Sequence, residues 1–271
     1  MPTYGDDKRA LLADRVGSGY HEPLSMAGTG ENLVERIIAG AVSAGREDRI
    51  ALCEGSRELS YAELAENVRK AATCLRAEGL EPGDRVAIYS PDCIEAGIAI
   101  LGAISAGGIA MPVSDLSAVN DLRNRVNDAG AVIILAHHSL LSNAEEIHAE
   151  VPSVKKLISL AGEDHDFSAL IATAEPMADA VGGGDDPAIL LYSAGSSNEN
   201  TEGGLHGVLH NHTTPVRAYE SFAQGFLQLN HEDRVFSTVR LSTAYGLGTG
   251  LLFTLLAGAQ CLCLLYTSPS P

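Results

Sequence analysis

Between Ala188 and His212 the chain reads AILLYSAGSSNENTEGGLHGVLHNH. Ala188 to Tyr192 is an apolar run suited to a buried strand. Ser193, Gly195, Ser196 and Ser197 follow it with small side chains, hydroxyl donors and accessible backbone N–H groups, the donors that can surround an anion such as a phosphate. The same composition also describes a polar surface turn, and composition alone favours that plainer reading. His206, His210 and His212 form H-x-x-x-H-x-H and could offer imidazoles to a metal. No acid or cysteine at ligand spacing accompanies them, and a strand would turn His210 and His212 to one face while His206 stays on the loop, so no metal site is expected. A G-x-S-x-G nucleophile elbow is absent, as is a G-x-G-x-x-G between a strand and a helix. No residue is assigned a catalytic role.

Composition narrows the partners. At 271 residues with 45% hydrophobic content the chain can bury a full core. A net charge of -17 without a basic cluster argues against nucleic acid and anionic membrane. Cys53, Cys74, Cys93, Cys261 and Cys263 are odd in number and contain no C-x-x-C pair, which fits reduced, buried thiols and a cytoplasmic setting. The first thirty residues lack the basic-then-apolar plan of a signal peptide. Ile94–Val113 is interrupted by Glu95 and Pro112, while Leu247–Tyr266 carries glycines and divides into a helix-like LLFTLLAG and a strand-like QCLCLL. Neither is expected to span a membrane.

The elements that must position the loop alternate in type. Asn32–Ala44 has helical spacing of Leu33, Ile37 and Ala41, and Arg49–Cys53 with Leu59–Tyr61 reads as two strands turning at Gly55 and Ser56. Ser60 and Glu63 form a capping box before a helix with Leu64, Val68, Ala72 and Leu75 on one face, stopped by Gly79. Strands are expected at Arg85–Tyr89, Gly108–Val113, Ala131–Leu135 and Lys156–Leu160. Helices are expected between them: one opened by Ser90 and Pro91, one near Val119–Asp128 and one near Ser142–Glu150. Continuously apolar strands such as VAIY and AVIIL suit a parallel sheet covered on both faces. Ala161–Pro187, with its GGGDD, reads as a loosely ordered linker. Thr213–Leu229 and Leu247–Ala257 read as helices, and Arg234–Thr238 and Gln260–Leu264 as strands. The fold class is therefore α/β, with mixed or parallel sheets layered with helices.

With that order in place, the loop resembles the signature Y-[ST]-[ST]-G-[ST]-T-G-x-P-K-G-V of the adenylate-forming enzymes, which include acyl- and aryl-CoA ligases, luciferases and peptide-synthetase adenylation domains. Tyr192, Ser193, Gly195, Ser196 and Ser197 match its first half, and Gly203, Gly207 and Val208 its second. GSRELSYAELAENVRKAATCLRAEGLEPGDRVAIYSPDCIEAGIAILGAISAGGIAMPVS is similar to the family's N-terminal region. FSTVRLSTAYGLGTGLLFTLLAGAQCL is similar to the benzoate-type aryl-CoA ligases in particular. The three segments run in order over most of Asn32–Leu264.

The resemblance implies the N-terminal part of an adenylate-forming large domain in 31–264, preceded by an extension in 1–30. It implies ATP, Mg²⁺ and coenzyme A as cofactor and co-substrates, and a small carboxylic acid, aromatic by the benzoate-type likeness, as substrate. Ser193, Gly195, Ser196, Ser197, Gly203 and His206 would then hold the nucleotide's phosphates, and Ala244, Tyr245 and Gly246 would line the acid pocket. Leu205 and His206 stand where the signature has Pro and Lys, and Asn198–Glu202 are extra, so weak ATP binding is expected. The family's adenine and ribose motifs, metal-binding glutamate and catalytic lysine follow the matched region. YTSPSP, within 265–271, breaks the pattern and is expected to be a truncated or non-native tail. A homo-oligomer is possible on this reading. The alternative is a non-catalytic protein of the same fold that binds a small carboxylate or a partner.

Overall fold

A computed structural model describes residues 30–160, 166–192 and 206–263. Asn32 opens the first helix, α1 (Leu33–Ser43), its side-chain oxygen accepting from the N–H of Val34 at 2.9 Å. Strands β1 (Ile50–Glu54) and β2 (Arg57–Ser60) form an antiparallel hairpin. Both reciprocal bonds of the capping box are made at the start of α2 (Tyr61–Ala77): Glu63 N–H donates to Ser60 Oγ, and Ser60 N–H to Glu63 Oε2 at 2.8 Å.

The alternating segment then builds a six-stranded sheet. It comprises β3 (Arg85–Ser90), β4 (Ile109–Ser114), β5 (Ile133–Ala136), β6 (Lys156–Ser159), β7 (Pro187–Tyr192) and β8 (Gly207–Asn211), in the order β6-β5-β3-β4-β7-β8. All neighbours are parallel except β7 and β8. Every residue of β3 is buried. Its side chains alternate as a strand requires: Val86 and Ile88 enter the core on one face, Ala87 and Tyr89 the core on the other.

The first core lies between two sheets. Helix α3 (Ile94–Ser105), apolar on every face beyond Glu95 in its first turn, is buried along its whole length, because it meets β3 and β4 of one sheet and β1 of the other. Helix α2 crosses it closely: a Cβ on Gly102 would lie 2.7 Å from the Cβ of Ala71. The second core is covered by α4 (Val119–Ala129) and α5 (Leu141–Glu150). The other sheet has the order β2-β1-β10-β9, with β9 (Arg234–Phe236) and β10 (Gln260–Leu262) parallel to β1. The α/β class and the layering of helices on mixed sheets are as expected.

Several local expectations change. The stretch read as a linker contains α6 (Asp166–Thr173), and its glycine run is packed against the start of α1. Asn32 donates to the carbonyls of Val181 and Gly182, and Gly184 N–H donates to Glu31 O. A side chain at Gly183 would meet the carbonyl of Gly30 at 2.6 Å. The helix after β8 is regular only over α7 (Thr213–Ala218), continues as a wider π turn over Tyr219–Gln224, and stops short of Leu229. The last helix begins earlier than its apolar pattern suggested. It starts with α8 (Ala244–Leu247), passes through a π turn at Gly248–Leu252 and ends as α9 (Phe253–Leu256).

Candidate functional site

Strands β3, β4 and β5 end at one edge of the six-stranded sheet, the carboxyl edge where open α/β sheets take their ligands. β7 runs parallel to β4 and reaches Tyr192 there, and β8 returns from Gly207 as its antiparallel partner. The glycine- and serine-rich segment singled out in the sequence connects these two strands. Ser193, Gly195, Ser196, Ser197 and Gly203 lie outside the described residues. His206, just before β8, is exposed.

The flanks of the loop are tightly packed. Gly207 leaves room for the side chains beneath it, since a Cβ there would stand 2.9 Å from Leu190 Cδ1 and 3.2 Å from the Tyr192 ring. The Tyr192 hydroxyl donates to Asp128 Oδ2 at 2.5 Å, and the Arg125 guanidinium lies 6.0 Å from its ring centroid. Burial first, and the Asp128 carboxylate second, push the Tyr192 phenol upward, so it is a neutral donor in this position.

The histidines separate by role. His210 is half-buried on β8, and burial lowers its pKa. His212 is 2% exposed and accepts the Leu33 N–H at Nδ1, 3.1 Å away. Burial lowers it to about 4, with Asp186 opposing, so it stands as a neutral ring fastening β8 to α1. Among the described residues no group of three or more His, Cys, Asp or Glu converges as a metal site. The five thiols are free, and burial pushes Cys93 and Cys261 up to about 12, which suits packing rather than nucleophilic chemistry.

A second feature lies beside the other sheet. Tyr245, 61% exposed, borders a cleft of about 250 Å³ with Val235, Phe236, Thr249 and Phe253. Its sequence neighbours differ: Ala244 is exposed outside the cleft lining, and Gly246 is buried beneath the turn that precedes it. Thr243 caps α8 by accepting the Gly246 N–H at 3.0 Å. Three polar residues absent from the sequence-level candidates tie this turn to the six-stranded sheet. Both oxygens of Asp92, just after β3, accept the Leu241 N–H at 3.1 and 3.3 Å, and Asp115, just after β4, pairs with Arg240 at 2.6 Å. Only the position of the two aspartates just after strand ends could have marked them.

A loop between strands at the carboxyl edge of a largely parallel sheet, with a second sheet packed across a shared helix, is an α/β domain of the class that takes ligands at its strand ends. The AMP-binding enzyme family matches residues 41–269, and the chain belongs to it. It is 31% identical over 243 residues to a benzoate–CoA ligase of Thauera aromatica, covering 89% of this chain and 45% of that protein. It is 30% identical over 222 residues to a 4-hydroxybenzoate–CoA/benzoate–CoA ligase of Rhodopseudomonas palustris, covering 80% and 40%. Among solved structures, a benzoate CoA ligase from Burkholderia xenovorans LB400 superposes with a TM-score of 0.77 at 28% identity, over 86% of this chain and 45% of that one. The chain thus spans less than half the length of these relatives. Among the described residues, no helix is long and apolar enough to cross a membrane.

Proposed function

We propose that this chain is the acid- and nucleotide-binding part of an ATP-dependent carboxylic acid–CoA ligase acting on a small, aromatic acid. The observation that carries the reading is Tyr245, held exposed at the wall of an apolar cleft in a segment similar to benzoate–CoA ligases. In the proposed reaction a carboxylate oxygen attacks the α-phosphorus of ATP, pyrophosphate leaves, and the thiolate of coenzyme A then displaces AMP from the acyl-adenylate. Ser193, Gly195, Ser196, Ser197, Gly203 and His206 are the proposed phosphate contacts. Preorganised donors there would offset charge developing on the pyrophosphate, and Mg²⁺ would supply the remaining neutralisation. The free thiols support a cytoplasmic setting for this chemistry.

The acid site is tested with benzoate. Saturation-transfer NMR should show ring protons of benzoate in contact with the chain, and Tyr245→Ala should weaken the complex by about tenfold, the worth of one aromatic contact with its buried area. Benzoate binding unaffected by that change would remove Tyr245 from the site.

The exposed side chains of Phe222, Phe226, Leu227 and Phe236 favour a second reading, an interaction protein of the same fold, including self-association. Titration with MgATP followed by ³¹P NMR distinguishes the two. The ligase reading expects binding weaker than micromolar, strengthened by about tenfold in His206→Lys through one charged hydrogen bond. The interaction reading expects no response from either protein.

A further inference from the structure

The turn before α8 is fixed from two directions. Within itself it is closed by short local bonds: Thr243 donates to the Arg240 carbonyl through both its N–H and its hydroxyl, at 3.0 and 2.9 Å. Ser237 Oγ accepts from Val239 N–H and donates to Val239 O. These bonds set the shape of the turn but not its place. Its place comes from the six-stranded sheet, through Asp92 on the Leu241 N–H and Asp115 on the Arg240 guanidinium.

The anchoring residues are themselves restrained. Asp92 directly precedes Cys93 and α3, whose first N–H, that of Ile94, is capped by Glu54 at the end of β1 at 2.9 Å. Arg57 pairs with both Glu54 and Glu95, so residues 92–95 are gripped by the β1–β2 hairpin on one side and grip the 239–243 turn on the other. Leu241, 6% exposed, plants the turn in the core between those contacts. Tyr245 stands two residues beyond the turn, in the first turn of the last helix, whose cap Thr243 belongs to the 239–243 turn, so its ring direction follows the turn's placement.

We infer that Asp92, seconded by the Asp115–Arg240 pair, is a positioning residue for substrate: it holds the 239–243 turn so that Tyr245 faces the acid cleft. This rests on the reading of Tyr245 as part of the acid site. Burial raises the Asp92 pKa while the Leu241 amide and Arg240 hold it down, and the other charge facing it is Asp115. The asparagine amide oxygen can replace the acceptor without the charge, whereas alanine cannot.

The test uses the whole chain labelled with 3-fluorotyrosine, the Tyr245 ¹⁹F resonance being assigned by its loss in Tyr245→Phe. Asp92→Ala should move that resonance by more than its linewidth and weaken benzoate binding by about tenfold, a charged hydrogen bond's worth. Asp92→Asn should keep the resonance in place and the affinity within about twofold. Arg240→Met, which breaks the second anchor, should move the same resonance and serves if the alanine variant does not fold. A Tyr245 resonance unmoved by either Asp92→Ala or Arg240→Met overturns the inference, as does failure of Asp92→Asn to rescue it. If benzoate leaves the wild-type resonance in place, the acid-site reading fails separately, and the resonance shifts alone decide whether Asp92 positions Tyr245.

Discussion

Gly246→Val is expected to destabilise the protein by about 3 kcal/mol, the upper range for overpacking, and to lower Tm by about 10 °C in a chain of this size. The cause is backbone, not side chain. A Cβ on Gly246 would lie 2.1 Å from the Arg240 carbonyl oxygen, 2.5 Å from that of Val239 and 2.6 Å from the Arg240 carbonyl carbon. No rotamer change relieves such contacts, and the Arg240 carbonyl is already fixed by two bonds from Thr243. The turn must lift away, carrying its links to Asp92 and Asp115 with it. Gly40→Ala is the control: Gly40 is exposed within α1 with nothing within 4 Å of a new Cβ, so helix propensity should stabilise that variant by about 0.5–1 kcal/mol. Thermal unfolding followed by circular dichroism reads both, and a Gly246→Val protein as stable as wild type would show that the turn can yield.

Acidification should expose the second large effect, at His212. Its folded pKa lies near 4 against an ordinary 6.5, because burial penalises the imidazolium more than Asp186 favours it. Above 6.5 the ring is neutral in both states and contributes no pH dependence. Between 6.5 and 4 the unfolded chain takes up a proton that the folded chain refuses, so stability falls as pH falls; below 4 the loss is complete. A shift of that size corresponds to about 3 kcal/mol at about 1.36 kcal/mol per pH unit. His210 and His137 are also lowered by burial and add in the same direction. His212→Asn retains an acceptor for the Leu33 N–H but cannot be protonated, so its urea-unfolding free energy should decline less steeply over this window by about one proton's worth. An unchanged slope would mean that His212 is protonated in the folded protein.

The His212 contact, and the anchors that hold the turn against Gly246, close over long stretches of chain, and this is where reading from sequence stops. The capping box at Ser60 and Glu63 is legible because both partners lie within one helical turn. The apolar faces of α1 and α2 and the buried strands β3 and β5 follow likewise from local periodicity. The loop after Tyr192 is recognisable as a signature because its donors are consecutive. By contrast, Leu33 and His212 are 179 residues apart, and Asp92 and Leu241 are 149 apart. Nothing in the local sequence of either partner names the other.

The same division explains the two revised segments. GGGDD has the composition of a linker, and only the fold shows that a Cβ on Gly183 would lie 2.6 Å from the Gly30 carbonyl oxygen, so that a side chain is excluded. Ala244, Tyr245 and Gly246 were candidates as a unit by likeness, yet the tertiary structure divides them into an exposed neighbour, a cleft wall and a packing point under Arg240. Sequence by itself determined the α/β class and the order of most elements, α6 and β8 excepted, because these depend on the period of apolar residues along the chain. Only the tertiary structure decided which carboxylates anchor the 239–243 turn, which histidine is buried and neutral, and where a glycine cannot change. Those properties depend on what another part of the chain brings within a few ångströms.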